Sequence, residues 1–569
     1  MTDKPIPIGA DGLYHPCNED EVIALVHFAR ASGKQLRSRG ATHSVAWSIY
    51  TDPVDGSPPN RTLQQHPPGG EQINLAFDQM RGLTWKDEEA GIIEAQPGIN
   101  LGHDPSDPFG VSTLENSFLY QIFQRGWAVN TLGGITHQTL AGFTATGSAG
   151  GSTRFAWDNA IAFRMVDGTG NAAWIEKDDP IFDAVSTSMG LLGVITAIRL
   201  QLVPMYNVEG TEKMTPVTGA QAPMDLFGPG TATQPSLEKY LKDTPYTRTV
   251  WWPQAGAERI QTWAAQRTAA KDEGLVPYQQ FTPDFKGQTM QLAAATFFVL
   301  LGNTNVFRVL GLLGQKLDHY FAVLGPVMRG NGSGFIARFI AYLGAVVVSA
   351  LILIIGLVLG ILNGSARALF RFLLPAFSPI TKPGKETRFN DYYWRSLCMD
   401  NTVDDVFLGT EFTEIWVPIS YAGQAASIYR DMFADRGAEA TGYFSTEVYG
   451  GPPTSAWLDP GYSDGSDEYA SGSCRFDLYW YRDNKGVPNS NEGFFEQYWD
   501  ALLDAGVPFR LHWGKFVPRF DFPTWAEYYR ANLPRLEDFL SLRAKRDPDG
   551  IFFTDYWRLR LTGSAGGPD

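Results

Sequence analysis

The sequence predicts an α+β protein of more than one domain, and three observations carry that reading. Residues 129–152 form a glycine-rich stretch, V-N-T-L-G-G-I-T-H-Q-T-L-A-G-F-T-A-T-G-S-A-G-G-S, with apolar residues interleaved as in a buried segment rather than a solvated loop. Strand-like runs recur near 247–253, 259–267, 412–418, 442–448 and 475–481, as one antiparallel sheet with helices would require. Within that array lies a segment of different texture, 287–382, in which positions 339–366 carry no charge at all.

The totals bound the possibilities. At 569 residues the chain can bury several cores, and 19% charged with 13% aromatic content describes an ordered globular protein. A net charge of −15 argues against a nucleic-acid partner. It also leaves no Lys/Arg run for a phosphate, which would be held mainly by backbone N–H groups. Cys17, Cys398 and Cys474 are odd in number and widely spaced, so no disulfide framework is expected. The opening M-T-D-K-P-I-P-I-G has no apolar h-region and no twin arginine, so no signal peptide is expected.

In chain order, Asn18 and Glu21 make a capping-box signature for a helix through Ala31, closed by Gly33. A strand over 35–39 runs into Gly40-Ala41-Thr42-His43-Ser44, a candidate phosphate cradle. Residues 51–70, rich in Pro, Gly, Asn and Gln, read as a surface loop. Strands are expected over 73–80 and 91–98, an amphipathic helix over 114–125, and strands over 160–167 and 193–202 around a helix near 179–189. A further helix is expected over 423–434. In the central stretch, glycines 133, 134, 142, 147, 150 and 151 let a ligand approach the main chain closely, and the threonines and Ser148 add donors without bulk. Such a stretch suits a flat, phosphate-bearing cofactor.

The uncharged run at 339–366 would form a helix longer than the roughly 30 Å hydrocarbon core of a bilayer. Gly356, Gly360 and Gly364 repeat every four residues, a stripe suited to close helix packing. With sheet strands on both sides of the segment, a single crossing would split a domain, so a hairpin or a dip into one leaflet is expected. Cations flank it on both sides (Arg308, Lys316, Arg329 and Arg338, then Arg367, Arg371, Lys382, Lys385 and Arg388), which favours a monotopic grip on the cytoplasmic face of a membrane.

Several chemistries have no support. G-x-G-x-x-G after a strand, G-x-S-x-G and G-x-x-x-x-G-K-[ST] are all absent, and the eight histidines show no H-E-x-x-H or paired spacing, so no metal site is expected. What is present is L-R-S-R-G-A-T-H-S, L-G-G-I-T-H-Q-T-L-A-G-F-T-A-T-G-S and F-R-L-H-W-G-K, with D-P-I-F-D-A, S-M-G-L-L-G-V-I-T, T-E-I-W-V-P-I and D-P-D-G-I-F-F in support. Together, in this order, they resemble the vanillyl-alcohol-oxidase superfamily of flavoproteins, and within it the aldonolactone and alditol oxidases. The segment at 287–382 is foreign to that pattern.

The resemblance implies a two-subdomain PCMH-type FAD-binding domain and an antiparallel-sheet cap domain carrying a hydrophobic helical insertion. On this sequence the FAD domain would be 1–205, the cap 206–286 and 383–500, the insertion 287–382, and 501–569 a segment closing on the flavin. Arg39, Gly40, Ala41, Thr42, His43 and Ser44 would cradle the pyrophosphate, with His43 matching the histidine that many members bond covalently to FAD. Gly133, Gly134, His137, Thr139, Gly142, Thr146, Gly147 and Ser148 would line the isoalloxazine and ribityl chain, and Val194 and Ile195 the adenine side. Gly133 matches a glycine common in family oxidases, which favours O2 as acceptor. For catalysis the resemblance implies Lys515 as the cation near flavin N1/N5, His512 orienting the hydroxyl, and Glu447 as base or anchor.

Two positions depart from the alditol oxidases: Gly134 stands for their serine, and Tyr449 for an arginine two residues past the glutamate. A less polar pocket follows, and with the membrane grip it suggests a lipophilic substrate. The expected function is a membrane-associated FAD oxidase acting on a CH–OH group. The alternatives are a same-fold dehydrogenase or reductase serving quinone or a lipid C=C bond, and a non-catalytic membrane scaffold.

Overall fold

The computed structural model describes residues 6–53, 72–253, 258–278, 306–330, 386–399, 409–436, 443–482, 491–518 and 523–563, with a few single positions between 292 and 407. The expected loop at 51–70 and the uncharged run at 339–366 fall almost wholly outside these residues.

The first helix, Glu19–Ser32, has the ends its sequence promised. The Asn18 side chain accepts from the Glu21 amide, and Gly33 closes the helix at φ 62°. The Glu21 carboxylate reaches back to the Cys17 N–H, one residue earlier than a capping box requires. Val22, Leu25, Val26 and Ala29 bury one face against a parallel pair, β1 (Leu36–Arg39) and β2 (Ile73–Ala76). A second sheet follows, of β3 (Leu83–Asp87), β4 (Ile92–Ala95), β6 (Ala160–Val166), β7 (Ala172–Glu176) and β8 (Val194–Gln201), in the order β3-β4-β8-β6-β7. Two short strands, β5 (Trp127–Ala128) and β9 (Val203–Pro204), pair between the sheets.

Two expected helices are shorter than their periodicity suggested. The one read over 114–125 is Phe118–Phe123, because Asn116 ties Thr113 N–H and the Val111 carbonyl into a turn before it. The one read near 179–189 is only Phe182–Val185, because Thr187 and Met189 take φ of 58° and 49°, which no α-helix admits.

The chain then builds one eight-stranded antiparallel sheet from β10 (Tyr206–Pro216), β11 (Tyr246–Trp252), β12 (Arg259–Ala269), β13 (Glu386–Tyr392), β14 (Thr410–Pro418), β15 (Tyr443–Gly451), β16 (Ser473–Tyr481) and β17 (Arg510–Leu511). Their order is β13-β10-β12-β11-β15-β16-β14-β17. Helices Ala422–Arg436 and Asn491–Asp504 pack on it through Tyr429 against Trp251 and Phe494 against Trp480, and on each other through Tyr429 and Tyr498. Past β12 the chain doubles back, so that Val276 and Asn390 exchange backbone hydrogen bonds and Tyr278 packs 4.9 Å from Phe389 on the edge strand β13.

Inside the 287–382 segment, the described helix Val306–Gly330 is amphipathic. Val309, Leu313, Lys316 and Tyr320 form its buried stripe, with Tyr320 and His319 against Phe407 and Lys316 over the Tyr481 ring. Among the described residues no helix is long and apolar enough to cross a membrane.

Candidate active site

β1 is buried along its length although two of its four residues are arginines, and it delivers the chain to the 40–44 loop. Thr42 holds a left-handed φ of 61°, a conformation β-branched residues rarely take. Gly40 and Gly142 both lie against Thr139, and a Cβ on Gly40 would overlap the Thr139 hydroxyl. Thr139 itself caps the helix Leu140–Ala145 by accepting from the Gly142 amide. From the far end of the chain, the Gly514 carbonyl accepts from the Val45 N–H, and Lys515 Nζ donates to the His43 carbonyl at 3.2 Å.

These three segments line one cleft that opens to solvent. Of the residues singled out in the sequence, Arg39, Gly40, Ala41, Thr42, His43, Ser44, Thr139, Gly142, Thr146 and Ile195 line it. Gly133, Gly134, Gly150, Gly151 and Tyr449 line a second, smaller cavity between the glycine stretch and the eight-stranded sheet. His137, Gly147, Ser148, Val194, Glu447, His512 and Lys515 line neither. His137 sits 6.1 Å from the His43 ring, centroid to centroid. Gly147 takes φ 68° against Thr187 and Asp459, Ser148 hydrogen-bonds Gln138 and Thr146, and Val194 is buried in β8 opposite Val166. Lys515 lies over the Phe412 ring at 4.2 Å.

Sequence reasoning missed several members. Arg37 lines the larger cavity, donating to the Ser48, Met189 and Phe552 carbonyls, and burial pushes its pKa down to about 10. Arg37 Nε and Arg39 Nε are buried without a hydrogen-bond partner. Two guanidinium groups therefore join the backbone N–H groups that the absence of a Lys/Arg run had suggested as the main phosphate donors. The signal was in view, since alternate arginines on a short strand beside a glycine loop are unusual for a buried strand. The cleft's tight glycine cradle and two unpartnered guanidinium nitrogens fit a dinucleotide pyrophosphate.

The cap side is a buried polar cluster. Glu447 does not face either cavity, because its carboxylate accepts from the Tyr479 hydroxyl at 2.9 Å and from the Tyr449 hydroxyl. Burial pushes its pKa up. His512 Nδ1 accepts from the Gly514 N–H at 3.1 Å, so the neutral ring carries its proton on Nε2. Burial pushes the His512 pKa down to about 4 and that of His43 to about 3, with His137 and Lys515 adding to the latter. The argument that Gly134 and Tyr449 leave the pocket apolar does not hold, because Arg475, Tyr449's partner across β15–β16, and Arg248 both line the smaller cavity.

A cholesterol oxidase from Brevibacterium sterolicum superposes with a TM-score of 0.59 at 13% identity, over 96% of this chain and 93% of its own. D-arabinono-1,4-lactone oxidase from Eremothecium gossypii is 26% identical over 207 residues, 35% of this chain and 33% of that relative. The resemblance to the vanillyl-alcohol-oxidase superfamily holds. A long-chain alcohol oxidase from an uncultured marine euryarchaeote is 30% identical over 222 residues, 37% of this chain and 39% of its own. The matching region spans between about a third and two-fifths of the length of these curated relatives. No protein-family model matches the chain.

Proposed function

We propose that this chain is an FAD-dependent oxidoreductase that oxidises a CH–OH group of a small molecule and returns the electrons to O2. The observation that carries the reading is the meeting of the 39–44 loop, Thr139–Thr146 and the 513–514 backbone around one cavity, with Lys515 bonded to the His43 carbonyl. Bound FAD supplies the acceptor for the hydride released from carbon and hands both electrons to O2 as hydrogen peroxide.

The protein's own groups account for the hydroxyl proton. Tyr449 lines the smaller cavity and its hydroxyl donates to Glu447, so a substrate O–H that reaches Tyr449 can donate to it while Tyr449 passes its proton to the carboxylate. Burial raises the proton affinity of Glu447, as a base needs. His512 is neutral near pH 7 and offers Nε2–H, which orients an oxygen rather than deprotonating it. Neutral imidazole at His43 is also the nucleophilic form that covalent attachment of the flavin would use.

Membrane association at a cytoplasmic face belongs to the same proposal. Of the seven exposed large apolar side chains among the described residues, four (Phe307, Leu310, Leu351 and Ile354) lie within 287–382, and Ile8, Val276 and Leu503 lie outside it. That surface supports contact with lipid, while the two arginines of the smaller cavity point away from a wholly lipophilic substrate.

An absorption spectrum of the purified full chain, before and after acid precipitation, tests the reading. A yellow pellet supports covalent FAD at His43, and a yellow supernatant supports dissociable FAD. Colourless protein that yields no peroxide with any alcohol overturns the proposal.

A further inference from the structure

The smaller cavity has no Asp or Glu in its lining, yet it is lined by Arg248 and Arg475. Three donors on its lining residues are buried with no hydrogen-bond partner: Arg248 Nη2, Trp263 Nε1 and Arg475 Nε. Their residues are only 6%, 4% and 5% exposed, so water does not satisfy them from outside. Buried polar groups are ordinarily paired, and a cluster of unpaired donors around one space is complementary to an acceptor-rich ligand.

Neighbouring carboxyl groups offset these two positive charges only in part. Glu414 lies 3.5 Å and Asp477 4.0 Å from Arg475, while Arg248 stacks 4.7 Å over Trp263 and 5.9 Å over Tyr278, with Glu447 behind Tyr449. Burial works against the Glu414 carboxylate, but His512, Arg475 and Lys515 outweigh it and draw its pKa down. Burial pushes Asp477 and Glu447 the other way, and Glu414 reinforces that in both. One carboxyl of the three is thus drawn toward its charged form, against two guanidinium groups and Lys515.

Both arginines are rigidly aimed. Arg475 stacks 4.2 Å over the Tyr449 ring and donates to the Ala149 carbonyl in the glycine stretch. Arg248 stands on β11, next to Thr247, whose amide donates to the Gly151 carbonyl at 2.7 Å. We infer that the smaller cavity binds an anionic oxygen group such as a carboxylate, gripped by Arg248 and Arg475, and that the substrate is a hydroxy acid or comparable anionic alcohol. The substrate half of this inference rests on the oxidoreductase reading above, whereas the anion site stands on the cavity alone. Tyr449 lines the same cavity, which places a gripped anion and the reacting hydroxyl within the span of one small molecule.

Calorimetric titration of the full chain with oxalate, and with its uncharged diamide oxamide, tests the site, with flavin content read by absorbance on the same samples. Oxalate is expected to bind and oxamide to bind at least about tenfold more weakly, as the loss of charge-assisted hydrogen bonds predicts. Arg248→Gln should weaken oxalate roughly 10- to 100-fold and Arg248→Lys less, each with a thermal melt to show that the variant folds. Arg475→Lys keeps the charge beside Glu414 and should also weaken oxalate. In the flavin-loaded protein, glycolate should reduce the flavin anaerobically faster than ethylene glycol. Equal binding of oxalate and oxamide, no binding of either, or undiminished oxalate affinity in folded Arg248→Gln overturns the site. Flavin-free protein that binds oxalate through Arg248 retains the site while removing the oxidoreductase reading. Flavin-loaded protein that oxidises uncharged alcohols and ignores oxalate does the reverse.

Discussion

Tyr449 and Arg475 face each other across β15 and β16, and the guanidinium lies 4.2 Å over the phenol ring. A position-by-position reading sees an arginine lost at Tyr449. The folded sheet supplies one from the next strand, stacked on the residue that replaced it. A guanidinium thus stands in the pocket although none follows Glu447 in sequence, and this one pair reverses the expectation of a less polar site.

The Tyr449 hydroxyl is the link between substrate and Glu447. Tyr449→Phe should lower the rate of anaerobic flavin reduction by about 10²-fold or more, the scale of general-base catalysis, with flavin content unchanged. Tyr479→Phe removes the other donor to Glu447 but leaves the link, and should cost less than about tenfold by the same scale. Stopped-flow reduction of the two variants side by side gives the comparison.

His43 is the expected point of flavin attachment. His43→Ala should shift all flavin from the acid-precipitated pellet to the supernatant, and denaturing gels should lose in-gel flavin fluorescence. Retention of pellet colour would place the attachment elsewhere.

A Cβ on Gly151 would overlap the carbonyl oxygen of Thr247, where the glycine stretch meets β11. Gly151→Ala should therefore destabilise the protein by about 1–3 kcal/mol through overpacking at this seam. Gly134 is different, since its nearest neighbour would be the flexible end of Met399 at 3.4 Å, and Gly134→Ala should stay within about 0.5 kcal/mol of the parent. Urea unfolding of both variants measures the contrast.

Two buried groups make opposite demands on pH. His512 has its pKa lowered by burial to about 4, so unfolding takes up a proton below about 6.5, and stability present above that pH is lost as pH falls toward 4. Asp459 has its pKa raised by burial to about 6, so its unfolded form releases a proton sooner, and stability is lost as pH rises from about 3.8 to 6. Each effect is of the order of 3 kcal/mol over its window, from two to two and a half pKa units. Measured as melting temperature against pH, Asp459→Asn should gain on the parent as pH rises through that range. The deficit of His512→Asn should shrink as pH falls.

The elements that sequence reasoning located are those fixed by local chemistry. Asn18 and Gly33 mark both ends of Glu19–Ser32, and alternation with aromatic bulk marked β11, β12 and β16. The larger cavity was legible because its two main walls are contiguous stretches, 39–44 and 139–146. The smaller one was not, because Gly134, Arg248, Trp263, Leu397, Tyr449 and Arg475 come from six separate parts of the chain and meet only through strand order. The helix read over 179–189 failed for a tertiary reason. Met189 turns out of helical geometry at φ 49°, and its carbonyl receives Arg37 at 2.6 Å, an interaction between residues 152 positions apart.

At the sheet edge, Val276 and Asn390 are already bonded to one another before the chain departs for residues 279–385 and after it comes back. The outgoing and returning ends thus stand side by side, as they would in an ordinary turn. Extending a loop whose ends are so held costs only about 0.6 kcal/mol for each doubling of its length, or about 2 kcal/mol from a dozen residues to a hundred. A lineage could therefore acquire, exchange or discard this segment without breaking one strand pairing.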